Sequence, residues 1–208
     1  MPLLRVTLRA GEVLFMGAGL LLLGFCIVQV VHSEVRRSGD LEAVELAWSG
    51  EQPDTSLWSP SRIDAWQQSQ VNAPDDVLAI LEMPEVGLKV PVYSGASDLN
   101  MDLGAGHIGG TALPEEGSNV GIAGHRDGYF RVLKDAEVGD SLELRTSSGT
   151  QRYRIDEILI VDPLDVEVLD PTDESMLTLV TCYPFYFVGR APQRYIVRAR
   201  LDHSQAKL

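Results

Sequence analysis

The strongest feature of the hydrophobic pattern is a run over residues 13–31, nineteen positions of which only Gln29 is strongly polar, bounded by Glu12 and by His32-Ser33-Glu34. As a helix rising ~1.5 Å per residue it would span roughly 28 Å, close to the ~30 Å hydrocarbon thickness of a bilayer. The pattern predicts a single membrane-spanning helix over 13–31 behind a short tail, 1–12. A cleaved leader and a buried core helix are the alternatives. Small residues are not well placed at −3 and −1 of any cut after the run, and Phe25 stands where a lipoprotein cut before Cys26 wants a small residue, so an uncleaved anchor is expected. Arg5 and Arg9 on one side are matched by Arg36 and Arg37 on the other, and charge alone leaves the orientation undecided.

From residue 77 the pattern shortens into apolar runs separated by Gly, Pro and Asp: 77–83, 86–93, 119–123, 141–146, 151–161, 176–182 and 193–201. Seven or eight strands predict an all-β barrel or sandwich. Leu142 and Leu144 alternate with Ser141 and Glu143, and Tyr195, Val197, Ala199 and Leu201 alternate with Arg194, Arg198 and Arg200. Each of these strands therefore has one wet face. Helical signal is confined to brief pieces near 97–103 and 130–134, and no internal repeat is present.

Residues 32–76, between anchor and strands, form an acidic juxtamembrane segment punctuated by Pro53, Pro60 and Pro74. Leu41, Val44 and Trp48 follow helical spacing, and Ser59-Pro60 reads as an N-cap with proline at the first helical position, leading into Ile63 and Trp66. Two short helices are expected. All three tryptophans, Trp48, Trp58 and Trp66, lie here and are expected to pack on the domain behind them.

Charge removes whole function classes. The chain has 17 Lys plus Arg against 30 Asp plus Glu, a formal net charge of −13, which repels nucleic acid and argues against a polybasic grip on anionic lipid. With two cysteines, Cys26 and Cys182, there is no disulfide framework, and Cys26 falls inside the anchor. Neither a close cluster of Cys and His nor a His-Glu-x-x-His pair, P-loop or Gly-x-Gly-x-x-Gly occurs, so no metal and no nucleotide cofactor is expected.

A lone cysteine at the end of an apolar strand is most often an inert small hydrophobe. Cys182, however, ends Thr178-Leu179-Val180-Thr181 and is followed by Tyr183-Pro184-Phe185; the proline stops the strand just after the thiol and leaves it at a rim. A thiol attacking a carbonyl needs an acid for the leaving group and a donor for the developing oxyanion. His125, just past the strand 119–123, and Arg194 can supply these. Strand parity turns Cys182 and Arg194 the same way on strands that can be neighbours, whereas Arg190 sits in the connecting loop after Gly189. Between Arg154 and Arg190 there is no basic residue but a run of acids that includes Asp162, Asp165, Glu167, Asp170 and Asp173. Its bland reading is a solubilising face; the sharper one makes residues 163–175 a groove wall that favours a cationic amine or signal flank.

Gly124-His125-Arg126-Asp127, the Thr-Leu-Val-Thr-Cys run ending at Cys182, the Tyr-Pro-Phe after it, and Ala191-Pro192-Gln193-Arg194-Tyr195 together resemble the sortase family. Sortases are membrane-anchored cysteine transpeptidases; the likeness runs from about residue 77 to 201 and is to the class D branch and its Gram-negative relatives. The resemblance implies an eight-stranded sortase-type β-barrel over 77–208, anchored in the cytoplasmic membrane with the tail 1–12 cytoplasmic and the catalytic domain outside. It implies cleavage of a C-terminal LPxT-like sorting signal in a partner protein by Cys182, through a thioacyl-enzyme. His125 would serve as acid and base, and Arg194 as carbonyl clamp. The acceptor would be an amine of a peptidoglycan precursor or a pilin lysine. Thr181, Val168 and Leu169 are the expected substrate-binding residues. Two other readings are an L,D-type cell-wall transpeptidase, whose Ser-His-Gly-Cys contrasts with Val180-Thr181-Cys182 here, and a non-catalytic binding barrel.

Overall fold

The computed structural model of the protein describes residues 52–72, 74–187 and 189–203. The expected tail 1–12, the anchor 13–31, the helix near Trp48 and Cys26 lie outside those residues. Among the described residues no helix is long and apolar enough to cross a membrane.

Eight strands close into a barrel: β1 (Val77–Met83), β2 (Leu88–Tyr93), β3 (Ala105–His107), β4 (Asn119–Ala123), β5 (Ser141–Thr146), β6 (Gly149–Val161), β7 (Met176–Tyr183) and β8 (Gln193–Leu201). Around the barrel they run β1-β2-β3-β4-β7-β8-β6-β5, and β5 pairs back onto β1. Closure leaves no free sheet edge, which an acidic but strand-rich chain needs to avoid edge-to-edge association. Two pairings are parallel, β2 with β3 and β4 with β7; the others are antiparallel.

The alternation read in the sequence sorts residues as expected. Leu142, Leu144, Leu177, Leu179, Val197 and Ala199 are inside the barrel, fully buried with Leu81, Ile122 and Phe130. Each such Leu or Phe contributes about 1.5–3 kcal/mol on burial. Arg198 and Arg200, on the outward parity, do not line a groove: they pair with Glu157, Asp156 and Glu174 across the outer surface. Those pairs neutralise part of the acidic run, leaving Asp162, Asp165, Glu167, Asp170 and Asp173 as its charged remainder.

Two local expectations are corrected and one strand is located. The run 86–93 starts as a strand only at Leu88, because Pro84–Val86 is a 3-10 turn and Gly87 takes a left-handed φ of 68° to exit it. The piece near 130–134 is a 3-10 stretch, Tyr129–Asp135. The eighth strand, β3, falls in the Gly-rich stretch, where a Cβ on Gly106 would come within 2.4 Å of the Gly95 carbonyl oxygen.

Helix α1 (Pro60–Ser69) forms as the N-cap signal predicts: Ser59 Oγ accepts from the Arg62 N–H at 3.2 Å and Pro60 fills the first helical position. Arg62, Trp66 and Ser69 share one face at helical spacing. Trp66 and Trp58 pack against the core, Trp58 edge-on to Tyr129 at 4.8 Å and to Trp66 at 6.4 Å. Helix α2 (Asp98–Leu103) is capped by Ser97 and buries Leu99 and Leu103 on Val77, Ile80 and Tyr93, outside the barrel. Both helices are thus pinned by apolar contacts, and each presents charged residues at the end of β4.

Candidate active site

Cys182 is the penultimate residue of β7 and partly exposed, as the terminating proline predicts. On one flank β8 runs antiparallel and sets Arg194 directly opposite Cys182. The next inward pair is Thr181 with Tyr195, and Tyr195 stacks on Tyr183 at 6.1 Å and meets Phe185 edge-on at 5.0 Å. These rings fix the ends of both strands, so the guanidinium stem leaves a rigid backbone. Arg194 Nη1 donates to the Gln193 carbonyl at 3.1 Å.

On the other flank β4 runs parallel to β7 up to Ala123 beside Val180, and the Gly124 N–H extends the ladder to the Val180 carbonyl at 3.1 Å. His125 is the next residue, just past the end of this ladder. Gly124 is required here: a Cβ would meet the buried Phe130 ring at 2.7 Å. Thr181, 2% exposed, donates its hydroxyl to the Gly124 carbonyl at 2.7 Å. Its side chain secures the turn that carries His125.

Around His125 lies a charged cluster that sequence reasoning missed. Its Nε2 is 3.5 Å from Asp102 Oδ1 of α2, and Arg62 of α1 pairs with both Asp102 and Asp127. Burial lowers the His125 pKa from its ordinary value and the Arg62 guanidinium acts the same way, against the opposing pull of Asp102, Asp127 and Asp98. Burial would raise Asp127, but Arg62 beside it, with hydrogen bonds from Arg62 and Ser59, holds the carboxyl below the usual range. The signal available was slight: Arg62 is the lone basic residue between Arg37 and Lys89.

The loop between β6 and β7 carries Val168 and Leu169 in a 3-10 turn, Glu167–Leu169, both partly exposed. Buried Asn119 donates to the Val168 and Asp170 carbonyls, each at 3.0 Å, and accepts from Thr178 Oγ1 at 2.7 Å. One side chain therefore ties that loop to β4 and β7. On the far side Arg126 donates to the carbonyls of Pro184, Phe187 and Gly189 at 2.8–3.2 Å and braces the loop between β7 and β8. Arg190 is exposed in that loop. His107 is buried away from this group, its Nε2 within 2.9 Å of the Ala112 carbonyl and 3.1 Å of Thr111 Oγ1, and it organises the turn after β3. Among the described residues no group of His, Cys, Asp and Glu could hold a metal ion.

A closed barrel with a rim thiol between an imidazole and a guanidinium is the architecture of a cysteine transpeptidase. Residues 81–202 match the model of the Sortase domain. The chain is 31% identical over 183 residues to Sortase D of Bacillus subtilis, covering 86% of this chain and 91% of that protein. It is 32% identical over 150 residues to Sortase A of Staphylococcus aureus, 64% of this chain and 69% of that one. Among solved structures, a Clostridium perfringens Sortase D5 transpeptidase superposes with a TM-score of 0.58 at 25% identity, covering 81% of this chain and 99% of that one. The chain belongs to the sortase family, and the class D resemblance is borne out.

Proposed function

We propose that the protein is a membrane-anchored sortase. Residues 13–31 hold it in the cytoplasmic membrane with the barrel outside, and its substrate is a partner protein ending in an LPxT-like sorting signal. The Cys182 thiolate attacks the carbonyl carbon of the signal's threonine. The C–N bond to the next residue breaks as His125 gives its proton to the departing amine, leaving a thioacyl-enzyme. An acceptor amine, from a peptidoglycan precursor or a pilin lysine, then loses a proton to His125 and attacks the thioester. The C–S bond breaks, the new amide leaves, and the thiolate returns. Arg194 donates to the carbonyl oxygen while it bears negative charge.

What supports this reading is the register of β7 with β8, which pairs Arg194 with Cys182, together with the Gly124 N–H bond to the Val180 carbonyl, after which the chain reaches His125. Val168 and Leu169 enter as a wall of the signal pocket, held by the Asn119 tie, and buried Thr181 shapes the site from behind through its bond to the Gly124 carbonyl. Burial lowers the His125 pKa, so the imidazolium that protonates the leaving amine is the smaller fraction at neutral pH.

Turnover of a fluorogenic LPxT-like peptide tests it. Cys182→Ala should abolish cleavage and the peptide-mass adduct on the enzyme while leaving the urea midpoint near that of the parent, because only a rim sulfur is removed. His125→Ala should lose about 10²–10⁴-fold, and His107→Ala much less. Cleavage by Cys182→Ala, or equal losses at the two histidines, would overturn the assignment.

A further inference from the structure

Helix α1 precedes the matched domain, yet it places a guanidinium at the candidate acid. Arg62 Nη1 pairs with Asp102 Oδ1, and its Nε donates to Asp127 Oδ1 at 3.1 Å. Each carboxylate also accepts a hydroxyl from the same segment: Ser69 Oγ to Asp102 Oδ2 and Ser59 Oγ to Asp127 Oδ2, both 3.2 Å. The side chains of Arg62, Asp102, Asp127 and His125 are 16%, 17%, 29% and 23% exposed, so solvent screens them only partly. Gly128 lets the stem of Arg62 close in, since a Cβ there would meet Arg62 Cδ at 3.3 Å and His125 Cβ at 3.7 Å.

We propose that Asp102 and Arg62 are positioning residues for His125, which makes the juxtamembrane helix part of the transpeptidase site. Asp102 accepts the Nε2 proton, and that tautomer leaves Nδ1 as the nitrogen that exchanges a proton with substrate and acceptor amines. At 3.5 Å the contact is loose, as such contacts often are before substrate closes a site. Arg62 has the opposite duty. A half-buried carboxylate at that distance would lock the imidazole as a permanent cation. Clamped by one guanidinium and two hydroxyls, Asp102 and Asp127 orient the ring without trapping its proton. The charged groups facing His125 among the described residues are Arg62 from α1, Asp98 and Asp102 from α2, and Asp127 from its own turn. Arg126 turns away to the loop between β7 and β8.

The proposal rests on His125 as acid and base, but its test reads the imidazole directly. The His125 ring proton, assigned by its loss in His125→Gln, is titrated by NMR in the full chain in detergent micelles. Arg62→Gln should move the His125 titration up and Asp102→Asn should move it down. Each should lower kcat about tenfold with KM little changed, less than loss of the acid itself at ~10²–10⁴. Arg62→Lys keeps the charge but cannot bridge two carboxylates; its titration should stay near the parent's while kcat still falls. It also serves if Arg62→Gln does not fold. Shifts of the same sign in Arg62→Gln and Asp102→Asn, or none, overturn the proposal. Shifts as expected in a protein that cleaves no sorting peptide would instead overturn the functional reading and leave the positioning intact.

Discussion

The two flanks of β7 deliver their groups to Cys182 by different means. On the β8 side, backbone register does nearly everything: Arg194 lies across from Cys182 in the pairing, and among the described residues its guanidinium makes one hydrogen bond, to its neighbour's carbonyl. On the β4 side, the ladder stops just short of His125, and one guanidinium and the carboxylates of Asp98, Asp102 and Asp127 act on the ring. The difference fits the roles proposed for the two groups. An oxyanion clamp needs a permanent donor within reach, and arginine stays charged at any working pH. A proton carrier must also have its proton affinity set, and that takes neighbouring charges.

If β8 contributes by register alone, Arg194→Ala should lose about 10²–10³ in kcat/KM with stability almost unchanged. Arg194→Lys should recover little of it, since one ammonium cannot reproduce the guanidinium fork, and Arg190→Ala should alter turnover only slightly. A large loss at Arg190 with a mild one at Arg194 would reverse the roles. Next in size is Asn119→Ala, which strips partners from two loop carbonyls and from the Thr178 hydroxyl. A fall of about 1–3 kcal/mol in urea-measured stability is expected, with KM rising as the loop loosens; an unchanged KM would detach Val168 and Leu169 from the groove.

Smaller again is the acid dependence of folding. His125 is depressed chiefly by burial, so below ~6.5 the unfolded chain takes up a proton that the folded one resists. Stability present above that pH is therefore lost as pH falls through the folded value. His125→Gln should flatten the fall below about pH 6.5; an unaltered slope places the responsible proton elsewhere. The smallest effect belongs to Asp165, Glu167 and Asp170. Neutralising all three should shift stability by no more than about 0.5 kcal/mol, while weakening the ionic-strength dependence of kcat/KM for a peptide with a basic flank. A salt response identical to the parent's would leave the loop a solubilising face.

What the sequence made legible tracks how local each signal is. Alternation in β5 and β8, the proline after Cys182 and the Ser59-Pro60 cap are short-range patterns, and the structure repeats them. The strand β3 left no such trace: Ala105-Gly106-His107 is too short to alternate, and it is a strand because Gly106 lets two backbones close to a distance no side chain permits. Trp58 and Trp66 pack as expected from their apolar bulk, but nothing local distinguishes Arg62 from a solvated cation. Its partners lie 40 and 65 residues away. Asn119 is hidden for the same reason, reading as the polar start of a strand until the loop 49–51 residues later folds over it.

The parallel pairing of β4 with β7 has a consequence for the order of events in folding. His125 and Cys182 are 57 positions apart, 182 − 125, and between them the chain must run through the whole of the β5–β6 hairpin before β7 can dock. Contacts of such long sequence separation carry their loop-closure entropy before any reward and form slowly. A chain that has collapsed but not yet seated β7 beside β4 holds Cys182 without the proposed acid, His125, near it. Recovery of peptide cleavage during refolding should accordingly trail the early rise of β-structure, because the β4–β7 pairing that brings the two segments together closes last.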